Sequence, residues 1–517
     1  MITKINPATL EPVGEIMETD LGTLPVMIAN ARKAQAEWAS WPVGRRVRAI
    51  MSVQEKIISR LEEIGRVISQ ETGKPRTEAM NTDLLASLAG ADFAARSLPK
   101  LFAPRPVPFG NMSTMMRYMG RRSYLQNRPI GVVAIIAPWN YPLGIPFSQT
   151  IMAVAAGNAV VLKPSSETPL TGLEMVKLFE ASDFPPGLVQ AVIGPGGPAG
   201  KAIIGSAVDR VIFTGSTKIG MEVMSMASQR LTPVTLELGG KDPFLVFADA
   251  DLERAAKGAV WGAFVNCGQT CVCVKRIYVQ EGAYDRFVQL LRERVGQLRL
   301  GNGWDDPEID MGPLINEKAL HEMERVVEGA VSDGAKVLMG GRRAAGLKGY
   351  FFEPTVIIDA PQASRVVQEE VFGPIVTVNR FATEEEAVML ANDSPYGLSG
   401  SVWTGDLVKG RRVAERLNGG TILVNNVAYT YGLTMTPWGG KGLSGFGRTH
   451  GEVGFSELME HHHIHVDQAK FGTEIWWHPY GKERLRAGLD MIDLLYVRGL
   501  LRNLSALRKM RKIMKER

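Results

Sequence analysis

Apolar positions recur every three or four residues from 24 to 70, first through Ile28, Ala31, Ala34 and Trp38, then through Ile50, Val53, Ile57, Leu61 and Ile64. That spacing predicts amphipathic helices that pack by one face. Met112 to Tyr124 alternates weakly and has basic flanks, which predicts an extended arm or hairpin. From Gly131 the period changes. Short β-branched runs at 131–137, 159–162, 189–193 and 210–213 alternate with helical-period segments at 146–156, 170–181, 197–206 and 217–229. Strands interleaved with helices make βαβ units, so the expected fold is α/β, a parallel doubly wound sheet with helices on both faces. Beyond residue 273 a second α/β series follows, with helical segments at 282–296, 317–333 and 384–392 and strands at 375–379 and 421–424. Near the end, Leu485, Leu489, Ile492, Tyr496, Leu500, Leu504, Leu507, Met510 and Met514 form one helical stripe among basic residues.

A chain of 517 residues has room for about three domains and several cores. Its 22% charged residues and mean hydropathy of −0.02 are those of an ordinary globular protein. Met1–Pro7 lacks the apolar core of a signal peptide, and no uncharged apolar run reaches the ~18 residues a spanning helix needs, so a cytoplasmic location is expected. The net charge of +5 is unevenly placed: residues 482–517 hold eleven Lys/Arg against four Asp/Glu, so the body before them is slightly acidic. The body gives no reason to invoke nucleic acid.

Doubly wound sheets bind ligands beyond the carboxyl ends of their strands, and the unusual loops of this chain follow its predicted strands. They are Pro138-Trp139-Asn140-Tyr141-Pro142, Lys163-Pro164-Ser165-Ser166-Glu167 and Thr214-Gly215-Ser216-Thr217-Lys218-Ile219-Gly220. The glycine turn in the third offers free N–H groups to an anion where it opens a helix, and three ligand-competent loops at one sheet edge point to a dinucleotide. In Thr235-Leu236-Glu237-Leu238-Gly239-Gly240-Lys241 a carboxylate ends an apolar strand, the setting of a general base or, with Lys241 beside it, of a salt bridge.

All three cysteines lie in Phe264-Val265-Asn266-Cys267-Gly268-Gln269-Thr270-Cys271-Val272-Cys273. Three thiols so close cannot form a disulfide framework and suit a reducing compartment, and their x3 and x1 gaps match no common zinc spacing. The stretch reads either as a nucleophile loop or as buried, inert thiols.

In order and without large gaps, residues from about Asn6 to Val466 resemble the NAD(P)-dependent aldehyde dehydrogenases. The resemblance is carried by Leu236–Lys241, by Phe264-x-Asn266-x-Gly268-Gln269-x-Cys271, and by Pro138–Pro142 and Phe213–Ser216. Glu369-Glu370-Val371-Phe372-Gly373-Pro374 and Pro437-Trp438-Gly439-Gly440-Lys441 complete it. It implies a Rossmann-like cofactor-binding domain (1–110 and 127–237), an α/β catalytic domain (238–440), an oligomerisation arm (111–126 and 456–467) and a tail (468–517). It also implies Cys271 as nucleophile, Glu237 as general base and Asn140 as oxyanion donor.

NAD or NADP would meet Ile136, Trp139, Lys163, Ser166, Phe213, Gly215, Ser216, Ile219, Leu238, Glu370 and Phe372. Members strict for NAD often carry Glu where this chain has Ser166, so NADP is expected to be accepted. Cys267 and Cys273 have no role in the resemblance and are expected to be packing residues. Ile145, Ser148, Val265, Tyr429, Tyr431 and Trp438 would line the aldehyde tunnel. They include no arginine, which predicts an apolar aliphatic or aromatic aldehyde. Succinate semialdehyde, with a cation from another loop, is the alternative, and a catalytically silent structural member is the alternative of another class.

The resemblance predicts a homodimer or homotetramer. It assigns the His461-His462-His463-Ile464-His465 run to the oligomerisation strand, with no metal expected. The basic stripe after Lys482 departs from the family pattern, and peripheral membrane contact is one reading of it.

Overall fold

The computed structural model describes residues 1–468, 473–474 and 476–496. Val132–Ile136 and Ala159–Lys163 are buried along their whole length, as strands covered by helices on both faces must be. They lie in a six-stranded sheet ordered Val189–Ala191, Ala159–Lys163, Val132–Ile136, Arg210–Thr214, Val234–Glu237, Gly445–Phe446. The first five run parallel, and the last pairs antiparallel with Gly445 opposite Glu237. The chain works outward from Val132–Ile136 in both directions, which leaves a switch point between that strand and Arg210–Thr214. The connecting helices Gly144–Ala155, Pro169–Glu180, Gly196–Ile204 and Thr217–Ser228 match the helical-period segments closely.

Five residues after Glu237, at Asp242, the chain enters a second sheet. Its strands stand in the order Lys336–Met339, Thr355–Ile358, Ile375–Phe381, Val274–Gln280, Asp242–Val246, Ser399–Trp403, Thr421–Val424, all parallel except the first pair. Alternate side chains face opposite cores. Val246, Ile277 and Val376 pack with Phe287, Leu291 and Val327, whereas Leu245, Tyr278 and Phe381 pack with Ala387, Val388 and Val413.

Three helices, Leu24–Ser40, Val43–Ser59 and Leu61–Thr72, bury the predicted apolar stripes except Leu61, which is half-buried, and the Trp38 indole donates to the Val154 carbonyl at 2.7 Å. These elements and both sheets form one compact unit of residues 1–101 and 129–459.

Residues 102–128 and those from 460 onward form a second unit. Its three-stranded sheet is ordered Met459–Asp467, Arg121–Pro129, Arg105–Pro106. The expected extended arm at 112–124 is corrected here, because Ser113–Tyr118 is a short helix and only the residues from Arg121 are strand. In this unit Ser123 Oγ lies 2.9 Å from His465 Nδ1, and Asn127 Oδ1 lies 2.9 Å from His461 Nδ1. The predicted terminal stripe is helical over Lys482–Tyr496, and its continuation through Leu500 to Met514 lies outside the described residues. Among the described residues no helix is long and apolar enough to cross a membrane.

Candidate active site

Strand register brings the residues that follow Glu237 beside the cysteine loop. Asp242 pairs with Val274, so the four residues that precede Asp242 run beside those that precede Val274. Gly240 makes the approach feasible: a Cβ there would lie 2.4 Å from the Cys271 carbonyl oxygen. After the helix Leu252–Phe264 the backbone turns through Asn266, Cys267 and Gly268, all at left-handed φ of 53°, 56° and 69°. Two non-glycine residues in that region are strain that surrounding contacts must hold. Lys275, buried, supplies one such contact by donating to Gly268 O at 3.1 Å and Gly373 O at 2.5 Å. The same ammonium therefore ties the cysteine loop to the Glu369–Pro374 loop.

Cys271 is half-buried, while Cys267 and Cys273 are buried and all three are free thiols. Cys273 donates to Gly262 O and Ala263 O at 3.1 and 3.2 Å, so its sulfur is spent on the end of the preceding helix. Desolvation pushes the Cys271 thiol well up, and the nearby carboxyls of Glu237, Asp242 and Glu370 push it further.

Glu237 is buried at the end of its strand, and desolvation lifts its carboxyl to about 8 against the opposing pull of Arg448, Thr449 and Trp438. The Thr449 hydroxyl reaches Glu237 Oε1 at a long 3.4 Å. Lys241 is not its partner, since the carboxylate that acts on that buried ammonium is Glu370. The Arg448–His450 segment behind Glu237 carried no signal in the sequence reading. His450 is buried, neither ring nitrogen has a hydrogen-bond partner among the described residues, and desolvation holds it down to about 4. Its ring packs on Tyr431 at 4.7 Å, and Tyr431 packs on Trp438 at 5.4 Å.

Asn140 is buried in the loop after Val132–Ile136, and its Nδ2 donates to Gln269 O at 3.0 Å. One amide hydrogen is thus used to grip the cysteine loop and one remains. Tyr141 adds a second grip, with its hydroxyl 2.6 Å from Thr270 Oγ1.

Trp438 and Val265 are buried, Tyr431 is half-buried, and Cys271, Tyr431 and Trp438 border one apolar cluster. Ile145 and Ser148 are buried on the helix that follows the Asn140 loop, and Tyr429 is exposed.

The residues expected at a dinucleotide fit one. Ser216 caps the helix Thr217–Ser228 without a side-chain hydrogen bond, which leaves its first N–H groups open to a pyrophosphate. Ile219 is exposed on that helix, while Ile136, Phe213 and Leu238 are buried against the sheet edge below it. Lys163 is buried, its ammonium donates to Pro164 O at 2.9 Å, and desolvation lowers it to about 8. Ser166 is half-buried in the same loop. The Trp139 and Phe372 rings meet edge-on at 5.6 Å, and a Cβ at Gly239 would strike the Glu370 carboxylate. Among the described residues no group of His, Cys, Asp and Glu is arranged to hold a metal ion.

Residues 1–464 match the model of the Aldehyde dehydrogenase family. A 4,4'-diapolycopene aldehyde oxidase of Methylomonas sp is 34% identical over 516 residues, covering 99% of this chain and 95% of that protein. Betaine aldehyde dehydrogenase of Bacillus subtilis is 37% identical, covering 89% of this chain and 93% of its own. The NAD+ complex of an aldehyde dehydrogenase from Bacillus cereus superposes with a TM-score of 0.85 at 34% identity, over 90% of this chain and 93% of that one.

Proposed function

The chain belongs to the aldehyde dehydrogenase family and is an NAD(P)-dependent oxidoreductase acting on aldehydes; from that premise we propose that it oxidises an apolar aldehyde to the carboxylic acid through Cys271. The observation that carries this reading is the convergence of the Cys271, Glu237 and Asn140 loops beside the Tyr431–Trp438 wall.

Cys271, as a thiolate whose proton has passed to solvent, adds its sulfur to the aldehyde carbon, and the carbonyl π bond breaks to leave an oxyanion. The remaining Asn140 amide hydrogen and the Cys271 backbone N–H receive it, and one such donor is worth about 3 kcal/mol in the transition state. When bound, the oxidised dinucleotide supplies a positively charged ring that offsets the surrounding carboxyls and accepts the hydride. The acyl group then remains on Cys271 as a thioester. Glu237, in its ionised form, takes a proton from water as that water attacks, and the acid leaves with the thiolate restored. Glu237 suits the task because its raised value lets it hold and release a proton near neutrality.

Two finer readings belong here. Ser166 places no carboxylate beside Lys163, so a ribose 2′-phosphate meets attraction without like-charge repulsion, and NADP is accepted alongside NAD. In the second unit, Leu485, Leu489, Ile492 and Tyr496 are exposed on the helix Lys482–Tyr496, with exposed Trp476, Trp477 and Tyr480 before it. Apolar and aromatic side chains among Lys482, Arg484 and Arg486 suit the interface of an anionic membrane. The relative named 4,4'-diapolycopene aldehyde oxidase matches 99% of this chain, so the match reaches through this segment. Long apolar aldehydes taken up at a membrane surface are therefore our preferred substrates. Three free thiols suit a cytoplasmic setting. We read the three-stranded sheet as the arm of a homodimer or homotetramer.

A panel of aldehydes graded in length and charge, assayed with NAD and with NADP and with C271A as blank, tests the proposal. Long apolar aldehydes should give the highest kcat/KM. A preference for succinate semialdehyde would overturn the substrate assignment, and turnover by C271A would overturn the nucleophile.

A further inference from the structure

The segment from Lys74 to Asp83 belongs to none of the motifs that carry the chemistry, yet its side chains reach both catalytic loops. Lys74 and Asp83 form an ion pair at 2.8 Å, and neither side chain is exposed to solvent. A buried pair often adds little to stability over an apolar replacement, because desolvation consumes the Coulombic gain, so its other contacts are the informative ones. The Lys74 ammonium donates to the Asn140 backbone carbonyl at 2.8 Å and sits 4.3 Å from the centre of the Tyr141 ring. Asp83 Oδ1 accepts from the N–H groups of Leu143 and Gly144 at 3.1 and 2.9 Å, which fixes the far end of the same loop. Asn140 and Tyr141 in turn grip Gln269 and Thr270, the two residues directly before Cys271. From the other flank, Asn266 donates to the same Asn140 carbonyl through its side chain at 2.9 Å, and its own N–H is held by Glu78 Oε1 at 2.9 Å.

We propose that Lys74, anchored by Asp83, is the positioning residue that sets the Asn140 amide against Cys271. With the Asn140 backbone carbonyl held by two donors and its side-chain Nδ2 donating to Gln269 O, both ends of the residue are fixed and the direction of the remaining side-chain amide hydrogen is set. The inference rests on the role of Asn140 as oxyanion donor. A misplacement on the order of 1 Å in such a group costs up to about 100-fold in rate.

The test is a double-mutant cycle in the full-length enzyme. K74M/D83N removes both charges together, and the new amide oxygen still accepts from Leu143 and Gly144. It should lower kcat for aldehyde oxidation by about 10- to 100-fold and leave the dissociation constant for NADP within about twofold. In an N140A background the same pair should change kcat by less than about twofold, because the group it positions is gone. K74R keeps the charge pair, displaces the Asn140 carbonyl and carries the same comparison if the neutral variant does not fold. Equal fractional losses in both backgrounds, or no loss with Asn140 present, would overturn the role of Lys74. An N140A enzyme as active as the parent would overturn the oxyanion assignment and the inference with it.

Discussion

Burial acts on Glu237 and Cys271 in the same direction. Desolvation raises both, which keeps the carboxyl protonated up to about pH 8 and leaves the thiol a weak nucleophile until positive charge arrives beside it. The pH profile should show this. Where thioester hydrolysis limits turnover, kcat should rise with pH through about 8 as Glu237 ionises, and stopped-flow release of acid should follow the same curve. E237Q should remove that limb and slow hydrolysis by about 10²- to 10⁴-fold. A limb that survives in E237Q assigns the titration elsewhere. At the nucleotide, S166E should lower kcat/KM with NADP by at least about tenfold while NAD is spared, since it puts a like charge beside the 2′-phosphate. Equal losses with both nucleotides would contradict the specificity argument.

The proposed nucleophile, base and oxyanion donor could each be named from a short motif whose residues are neighbours in sequence. Lys74 and Glu78 were not. They reach Asn140 and Asn266 across 66 and 188 positions, and only the folded chain brings them there. His450 was equally silent, being a histidine in a loop until burial removes every partner.

At the scale of elements, the strands around the switch point and their helices followed from period alone, since their apolar runs are nearly unbroken. In the second sheet Ile375–Phe381 and Thr421–Val424 followed in the same way, but the strand between Ile375–Phe381 and Asp242–Val246 did not. Val274–Gln280 buries Lys275 and Arg276, whose charges hide the pattern until their acceptors are seen: Arg276 donates to the carbonyls of Lys241, Leu390 and Ala391. Weak alternation at 112–124 misled for the opposite reason, since a period of two over few residues is easily met by a short helix. The cysteine turn is the element most exposed to substitution. A Cβ at Gly268 would lie 2.2 Å from the Gly373 oxygen at a left-handed φ. G268A should therefore destabilise the fold by about 1–3 kcal/mol and lower kcat, measured by denaturant titration and steady-state assay. An unchanged midpoint would show that the turn relaxes freely.

For the whole molecule, buried titratable groups set the pH dependence of stability. Glu78 and Glu237 are lifted by desolvation to about 7 and 8 from 4.5, so the folded chain binds more protons than the unfolded one in that interval. Their contribution is complete below 4.5 and is lost as pH rises through 7 and 8. His450 acts oppositely, lowered from 6.5 to about 4, and its contribution is lost as pH falls below 6.5. The melting temperature should thus fall between about pH 6.5 and 8.5, and E78Q should flatten part of the decline, as differential scanning fluorimetry can record. A melting temperature that climbs across this window would contradict the assignment. The tail is tested at the same scale. Deleting residues 482–517 should abolish sedimentation with anionic liposomes and lower turnover of long aldehydes presented in them, while short aldehydes in solution are oxidised as before. Unchanged liposome binding would remove the membrane reading.

The account depends most on an acyl group carried by Cys271. The direct measurement is intact-mass and peptide mass spectrometry of E237Q, quenched after mixing with NADP and a long apolar aldehyde, alongside the absorbance burst of reduced nucleotide. The account predicts a burst close to one per active site and a matching acyl adduct on the peptide that contains Cys271, absent from C271A. A burst without an adduct on Cys271, or an adduct on Cys267 or Cys273 in its place, would contradict it.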